Sequence, residues 1–500
     1  MKEVKQAIVI GSGFAGMSAA SFLARSGWKV IVLEQHEMPG GRARKFEAAG
    51  FTFDMGPSWY WMPDVFERYF QQFGKQVSDY YQLERLDPSY RVYWPDGITD
   101  IPADYEELKA LFEKLEPGAG AQLDLFMKEA AYKYEVGVNK LVFKPGQSLL
   151  EFLDLDLIKG VFKLDVFNSM KAHVGKYFKN PKLVELMEFP VLFLGALPEH
   201  TPALYSLMNY ADIKGGTWYP QKGMYEIAQA MYDLAVSLGV EFRFNHSVTN
   251  INVKDGIAQS VSCVVNTPAG KTTVALDADV IVGGADYHHV EMALLPKEYQ
   301  SYTEAYWNKR VMAPSCLLYY VGLNKKLEGI THHSLYFDTD FGLHGKEIYT
   351  TKEWPTNPLF YLCAPSVTDK TVAPQGCENL FFLIPVATGL TGDTEELREK
   401  YFQQIVKRVE KQLGQSIADA IIYKRTFAQS NFIEDYHAFK GNAYGLANTL
   451  LQTAVLKPSC RSKKVKNLFF TGQLTVPGPG VPPSLISGEV VAKEITKLYD

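Results

Sequence analysis

Cysteine is scarce in this sequence, and its few copies are not grouped. Among 500 residues there are five cysteines, and no two of them form a CxxC pair. They stand at Cys263, Cys316, Cys363, Cys377 and Cys460. An odd number of scattered cysteines argues against a disulfide framework and against a cysteine-based metal centre. We therefore expect a reducing compartment and no bound metal.

Long hydrophobic runs and an excess of basic residues are also absent. No apolar run approaches the roughly 20 residues that a transmembrane helix requires. The first residues, MKEVK, lead into a strand-like segment without the apolar stretch of a signal peptide. The net charge of −5 gives no reason to expect nucleic acid as a partner. We expect a cytoplasmic protein whose contact with a membrane, if it makes one, is peripheral.

One stretch has the composition for such a contact. Residues 157–183 are rich in lysine, leucine and phenylalanine, so a helix there would present an amphipathic face to a membrane surface. An ordinary domain helix with a solvated basic face explains the same pattern equally well.

No nucleophile–base–acid set and no metal cluster can be recognised in the sequence. The histidines to consider are His200, His288, His289 and His437, for which a structural role is the default. Asp286 follows a glycine pair at the end of an apolar strand, which favours a backbone cap. No catalytic side chain is therefore predicted.

What the sequence does contain is a strand–turn–helix–strand unit near its start. Residues 6–10 are apolar and β-branched, residues 14–26 carry small side chains at helical spacing, and residues 28–34 form a second apolar strand. The turn between strand and helix, residues 11–16, reads GSGFAG. Its glycines suit the close approach of a pyrophosphate, and Glu34, about 18 residues further on, suits a ribose.

Three more segments have the composition of tight turns. Residues 38–43 read MPGGRA, and glycines beside a positive Arg42 suit a flavin nucleotide better than a nicotinamide nucleotide. Residues 53–58 read FDMGPS, a turn that Asp54 is expected to cap. Residues 468–484 predict a strand, a Pro/Gly loop and a helix N-terminus that can face an electron-rich group.

The remaining pattern indicates a mixed α/β protein in which a nucleotide-binding domain is interrupted twice. Helices are predicted at residues 104–115, 121–134, 224–238, 395–413 and 484–498. Strands are predicted at residues 240–253, 279–284, 317–322, 380–386 and 467–471. We expect the nucleotide-binding domain to comprise residues 1–80, 224–300 and 415–500, and a substrate-binding, membrane-associating domain to comprise residues 81–223 and 301–414.

The four motifs, in this order, resemble the FAD-dependent carotenoid desaturase family, specifically the phytoene desaturases of bacteria and fungi. The N-terminal motifs are shared with a wider amine-oxidase-like superfamily, whereas the Pro/Gly-rich residues 475–487 are more specific. Residues 205–224, with KGGTWYP and KGM, are similar to the family's YP-x-GG-M passage. The chain departs from the family at Lys222 and Pro483, where glycine is common, and at Val476, where histidine is common.

The resemblance implies a Rossmann-like FAD-binding domain of the two-dinucleotide-binding-domain type, with an inserted α+β substrate domain. It implies FAD contacts at the matching positions, which are Gly11, Ser12, Gly13, Phe14, Ala15, Gly16, Glu34, Gly41, Arg42, Val248, Gly472, Gln473 and Val481. A hydrophobic isoprenoid would lie in a channel between the two domains. Because no second dinucleotide motif is legible, oxygen or a quinone is the expected electron acceptor.

The expected reaction is the desaturation of phytoene to lycopene. A carbon flanked by alkenes has no proton that a side-chain base could remove unaided, whereas an oxidised flavin can accept a hydride from it in a dry channel. Two alternatives within the family are a 1-hydroxycarotenoid 3,4-desaturase and a carotenoid isomerase. A flavin amine oxidase is disfavoured by the C-terminal loop, and a prenyl-binding chaperone of the same fold is disfavoured by the intact N-terminal motifs.

Overall fold

A computed structural model gives the structure of the protein and describes residues 4–148, 151, 164–192, 195–267 and 270–499. The predicted amphipathic stretch lies partly outside the described residues, from 157 to 163. Of the described helices, none is long and apolar enough to cross a membrane.

The strands and helices fall into the following order. The strands are β1 (Gln6–Ile10), β2 (Lys29–Leu33), β3 (Lys45–Ala48), β4 (Phe51–Asp54), β5 (Leu83–Arg85), β6 (Tyr90–Trp94), β7 (Gly97–Ile101), β8 (Trp218–Pro220), β9 (Glu241–Arg243), β10 (His246–Lys254), β11 (Ile257–Thr267), β12 (Gly270–Asp277), β13 (Val280–Gly283), β14 (Ser315–Leu323), β15 (His333–Tyr336), β16 (Phe360–Cys363), β17 (Glu378–Val386), β18 (Ile421–Phe427) and β19 (Leu468–Phe470). The helices are α1 (Phe14–Arg25), α2 (Pro63–Gln71), α3 (Tyr105–Leu115), α4 (Ala119–Asn139), α5 (Met170–Tyr177), α6 (Pro181–Leu192), α7 (Leu207–Tyr210), α8 (Tyr225–Ser237), α9 (Tyr287–Met292), α10 (Glu304–Asn308), α11 (Phe341–Lys346), α12 (Glu395–Leu413), α13 (Gln429–Tyr436) and α14 (Val481–Tyr499).

A parallel five-stranded sheet is assembled from the start, the middle and the end of the chain. Its strand order is β19-β13-β1-β2-β9. Helices α1, α8 and α14 pack on one face, and the antiparallel sheet β10-β11-β12 packs on the other. The strand order reverses at β1, because β2 and β13 lie on opposite sides of it. In such sheets ligands bind beyond the carboxyl ends of the strands at this point, which is where the glycine turn begins.

The second large sheet has seven strands in the order β18-β14-β17-β16-β15-β6-β7. Every residue of β14 is buried, because helix α12 packs on one face of this strand and the β3–β4 hairpin packs on the other. Leu317 and Tyr319 lie in the apolar cluster that includes α12, whereas Tyr320 contacts Phe46 of β3 and Phe53 of β4. Burial on both faces explains why this strand is a continuous apolar run without polar alternation.

Two expectations about the end of the chain are revised. The last helix begins at Val481 and not at Ser484, because Pro482 and Pro483 are tolerated in a first turn, where a missing N–H breaks no hydrogen bond. Strand β18 lies within the predicted nucleotide-binding segment 415–500 but pairs with β14 of the seven-stranded sheet. We therefore propose that this domain boundary follows Phe427.

Candidate functional site

The glycine turn at residues 11–16 connects β1 to α1 in a conformation that depends on its glycines. Gly11 has a φ of +95°, and a Cβ on Gly16 would overlap the carbonyl oxygen of Gly11. A Cβ on Gly13 would meet no atom within 4 Å. Helix α1 begins at Phe14 without a side-chain cap, so the N–H groups of its first turn are available to an anion approaching over Gly13.

Glu34 binds the same turn from the end of β2. Its side chain is buried, and one carboxylate oxygen accepts hydrogen bonds from the backbone N–H and the hydroxyl of Ser12 at 2.9 and 2.7 Å. The other oxygen accepts from the N–H of His36 at 3.0 Å. A carboxylate has about four acceptor positions, so these three donors leave capacity for a ligand hydroxyl.

The glycine pair before Arg42 packs directly against the turn. The N–H of Gly40 donates to the carbonyl of Ser12 at 2.9 Å. A Cβ on Gly41, whose φ is +57°, would lie 3.2 Å from the Cα of Gly13. The structure therefore brings the GGR motif and the GSGFAG motif together on one side of the open space above Gly13.

Arg42 extends from this motif toward the C-terminal half of the chain. Its guanidinium donates to the carbonyls of Asn442 and Ala443 and lies 4.0 Å from the carboxylate of Asp286. With its amide oxygen turned toward Arg42, Gln473 accepts from both terminal nitrogens at 2.8 Å. Burial lowers the pKa of Arg42, and the nearby Asp286 opposes that shift. Arg42 thus connects the GGR motif to the C-terminal loop, a role that its position in the sequence does not reveal.

The C-terminal loop closes over the start of α1. Gly472, with a φ of +111°, places its would-be Cβ 3.8 Å from the Cβ of Ala15. The N–H of Gly472 and the hydroxyl of Thr471 both donate to the hydroxyl of Ser487 at 2.9 Å. The start of the C-terminal loop therefore lies next to the N-terminal turn.

Helices α1 and α14 approach closely at one residue that sequence reasoning missed. A Cβ on Gly488 would overlap the carbonyl oxygen of Ala15 and lie 2.6 Å from the backbone nitrogen of Ala19. The hydroxyl of Ser18 donates to the carbonyl of Leu485 at 2.7 Å in the same interface. The sequence does contain a signal for this contact, because Gly488 lies inside a predicted helix. Glycine lowers helix stability, so a glycine in a helix interior often indicates close packing against a neighbouring element.

The two predicted valines lie on elements that border this space. Val248 is on β10, and the N–H of His246, two residues earlier, donates to the carbonyl of Glu34 at 2.8 Å. Val481 is the first residue of α14, at the end of the loop that starts at Gly472. Their contacts with a cofactor stay predictions.

Asp54 has a different role from the turn cap that we expected. Its two carboxylate oxygens accept from the N–H groups of Met224 and Tyr225 at 2.8 and 2.9 Å, so it caps the start of α8. Sequence reasoning could not find this pair, because 170 residues separate Asp54 from Met224. Burial raises the pKa of Asp54 to about 6, despite the two backbone hydrogen bonds, which lower it.

The four histidines named from the sequence do not form one site. His289 stacks on His437 with ring centroids 3.9 Å apart, and His288 lies against Phe439. Asp286 caps α9 by accepting from the N–H of His289 at 3.2 Å, as predicted. The histidines that do cluster, His332 and His333, were missed.

A large apolar cluster lies between the seven-stranded sheet and helices α3 to α6, next to the segment that follows the GGR motif. Its buried aromatic members include Trp61, Tyr90, Phe189, Tyr320 and Tyr361. Such a surface suits a hydrocarbon ligand. The channel that we expect there stays a prediction.

The site residues fit a dinucleotide such as FAD. The uncapped N-terminus of α1 and the open space over Gly13 suit a pyrophosphate, and Glu34 has acceptor capacity for a ribose. Gly472, at the start of the C-terminal loop, lies next to Ala15 of α1. The same loop leads into α14, whose N-terminus at Val481 is a second helix N-terminus in the C-terminal motif.

Comparisons with known proteins agree over almost the whole chain. The sequence profile of the flavin containing amine oxidoreductases matches residues 14–496. A carotenoid 3,4-desaturase of Haloarcula japonica is 42% identical over 490 residues, which cover 97% of this chain and 97% of that protein. A zeta-carotene-forming phytoene desaturase of Myxococcus xanthus is 30% identical over 499 residues, which cover 98% of this chain and 94% of that protein.

The fold is also similar to solved structures. The crystal structure of an oxidoreductase from Methanosarcina mazei aligns with a TM-score of 0.63 at 15% identity, covering 98% of this chain and all of the other. At 15% identity the alignment supports a shared fold and does not indicate a shared function.

Proposed function

Because the chain belongs to the flavin containing amine oxidoreductase family and, within it, to the carotenoid desaturases, we propose that it is a FAD-dependent carotenoid 3,4-desaturase. The observation that carries this choice is the 42% identity to a carotenoid 3,4-desaturase, against 30% to a phytoene desaturase. The reaction expected from the sequence alone, phytoene to lycopene, is the second candidate, and the 30% relative supports it.

The chain's own residues hold the cofactor and keep water away from the reacting carbons. When bound, FAD supplies the acceptor for a hydride from one carbon of the substrate, while the neighbouring carbon loses a proton and the double bond forms. The glycine turn and Glu34 bind the nucleotide end. Through their hydrogen bonds, Arg42 and Gln473 hold the C-terminal loop beside the GGR motif. The flavin ring of FAD would lie between these two segments. The apolar cluster provides the dry environment for a polyene.

The substrate is a hydrophobic isoprenoid, and the two electrons leave to oxygen or a quinone. This choice of acceptor rests on the sequence, in which no second dinucleotide motif is legible.

Pigment analysis in two bacterial hosts distinguishes the candidates. One host accumulates phytoene, and the other accumulates acyclic coloured carotenoids with saturated 3,4 bonds, including 1-hydroxylated ones. We expect a product two hydrogens lighter and red-shifted in absorption in the second host, with phytoene unchanged in the first. The measurement is liquid chromatography with absorbance and mass detection.

Each other outcome has a definite meaning. Coloured products from phytoene would move the assignment to the second candidate. An isomer of unchanged mass would favour the isomerase. Unchanged pigments in both hosts, from a chain that purifies with its flavin, would overturn the assignment as a carotenoid desaturase.

We also place the membrane-facing surface at residues 450–456 and the neighbouring Phe167. Leu451 is 76% exposed and Phe167 is 77% exposed, with Leu450 and Leu456 about half exposed. The two segments are linked through Tyr205, which hydrogen-bonds Thr453, and through Ala203, whose N–H donates to the carbonyl next to Phe167. Exposed leucine and phenylalanine grouped in this way suit the interface of a bilayer, in which a carotenoid dissolves.

Vesicle co-sedimentation tests this surface. Replacing both leucines, Leu450→Ser and Leu451→Ser, is expected to weaken binding to phosphatidylcholine–phosphatidylglycerol vesicles by about tenfold or more, because each buried leucine contributes roughly 1.5–3 kcal/mol. Ile257→Ser, at an exposed apolar position on β11, is the matched control and should bind as the unmodified chain does. Equal binding by all three proteins would place the membrane contact elsewhere.

A further inference from the structure

Three side chains that commonly bind metals meet inside the seven-stranded sheet. His333 on β15 and Cys363 on β16 are direct cross-strand partners, so their side chains share one face of the sheet. His332 immediately precedes β15. One candidate ligand atom from each of the three residues lies within 4.8 Å of the others. All three are buried, with exposed fractions of 5% for His332, 1% for His333 and 4% for Cys363.

One nitrogen of each histidine is already hydrogen-bonded. Nδ1 of His332 shares a hydrogen bond with the hydroxyl of Thr368 at 2.8 Å, and Nδ1 of His333 shares one with the hydroxyl of Tyr361 at 2.7 Å. The ring of Trp59 stacks on His333 with centroids 4.2 Å apart. Metal-binding histidines are typically oriented in this way, through the nitrogen that faces away from the metal.

The other nitrogen of each ring is Nε2. Neither Nε2 atom has a hydrogen-bond partner in the part of the chain that the structure describes. Unpaired buried polar atoms are unfavourable, and here they occur on two adjacent residues.

We propose that His332 Nε2, His333 Nε2 and the Cys363 sulfur bind one zinc ion. A small cavity of about 20 Å³ adjoins His332 and Cys363 and is bordered by Asp54 and Ser58. That volume holds a single water or ion and is too small for the end of a carotenoid. Two imidazoles and a thiol select zinc over magnesium or calcium, and a water in the cavity completes a tetrahedral set.

The proposed site lies on the seven-stranded sheet, whereas the glycine turn connects β1 of the five-stranded sheet to α1. The zinc site would tie β15 to β16 beside the segment 53–58, and so stiffen one wall of the apolar cluster. The scattered cysteines led us to expect no metal, because the ligands are a histidine pair and a cysteine some 30 residues apart, a spacing without a recognisable pattern.

Metal analysis of the full-length, flavin-loaded protein tests the proposal. After purification without chelator, we expect about one zinc per chain by mass spectrometry. X-ray absorption should show one sulfur and two nitrogen neighbours at about 2.3 and 2.0 Å. In competition with a zinc indicator, Cys363→Ser and His333→Asn are expected to weaken binding by about tenfold or more. Thr368→Val, which leaves the ligands intact, should weaken it by about tenfold through loss of ring orientation.

The matched control is Cys377→Ser, since this cysteine is only partly buried and lies outside the cluster. It should retain full zinc binding, and flavin absorbance with the melting temperature reports the folding of each variant. A protein that neither contains zinc nor takes it up would overturn the proposal and leave an ordered water between the two rings. Zinc without a sulfur neighbour, or zinc binding by Cys363→Ser equal to that of the unmodified chain, would overturn it as well.

Discussion

Gly488→Val is expected to destabilise the protein by about 3 kcal/mol and to yield a largely colourless preparation. A side chain at this position would overlap the carbonyl oxygen of Ala15 and approach the nitrogen of Ala19 to 2.6 Å. Both neighbours are backbone atoms of α1, which cannot rotate away as a side chain could, and overpacking of this kind typically costs 1–3 kcal/mol or more. Because α1 begins at the glycine turn, its displacement also distorts the site that receives the pyrophosphate.

Denaturant unfolding and the ratio of flavin to protein absorbance measure the two effects. Gly175→Ala is the matched control, since this residue lies inside α5 with no atom within 4 Å of the added Cβ. Alanine there should leave flavin content unchanged and raise stability by up to about 1 kcal/mol. If the valine variant at position 488 kept normal stability and full flavin, the close approach of α1 and α14 would not be a feature of the folded protein.

Glu34→Gln is expected to lower FAD affinity by roughly 100-fold while the chain stays folded. Both carboxylate oxygens accept from donors, one from Ser12 and the other from the N–H of His36. Glutamine has only one oxygen, so its NH₂ group must face one of these donors, and the charge is lost. A ribose hydroxyl that donates to the charged carboxylate would contribute about 1.5–3 kcal/mol, and 2.7 kcal/mol corresponds to about 100-fold in affinity.

Fluorescence titration of flavin-depleted protein gives this affinity directly. Glu37→Gln removes the same charge three residues away at an exposed position, and we expect it to bind FAD as the unmodified chain does. Equal losses in both variants would mean that overall charge matters and not the contacts of Glu34. Unchanged affinity in the Glu34 variant would remove this residue from the cofactor site.

The local elements of both predicted domains could be predicted where their signals lie within short segments. The first strand is where its apolar run placed it, and α12 spans the predicted residues 395–413. The glycine turn was predictable for the same reason, since its contacts with Glu34 lie within 22 residues.

The contacts that hold the site together could not be predicted because they join distant parts of the chain. Arg42 donates to carbonyls some 400 residues later, and its predicted contact with FAD stays a prediction. Asp54 caps a helix 170 residues away. A turn-capping aspartate and a helix-capping aspartate look alike in sequence, and only the fold decides which backbone N–H groups they meet.

The assembly of one sheet from both ends of the chain has a consequence for biosynthesis. Strand β19 and helix α14 complete the walls around the first glycine turn, yet they leave the ribosome more than 450 residues after it. At translation speeds of about 5–20 residues per second, the N-terminal segment waits on the order of tens of seconds for its partners. Flavin capture is therefore a late event in the life of the nascent polypeptide, and quality control by chaperones has that whole interval in which to act.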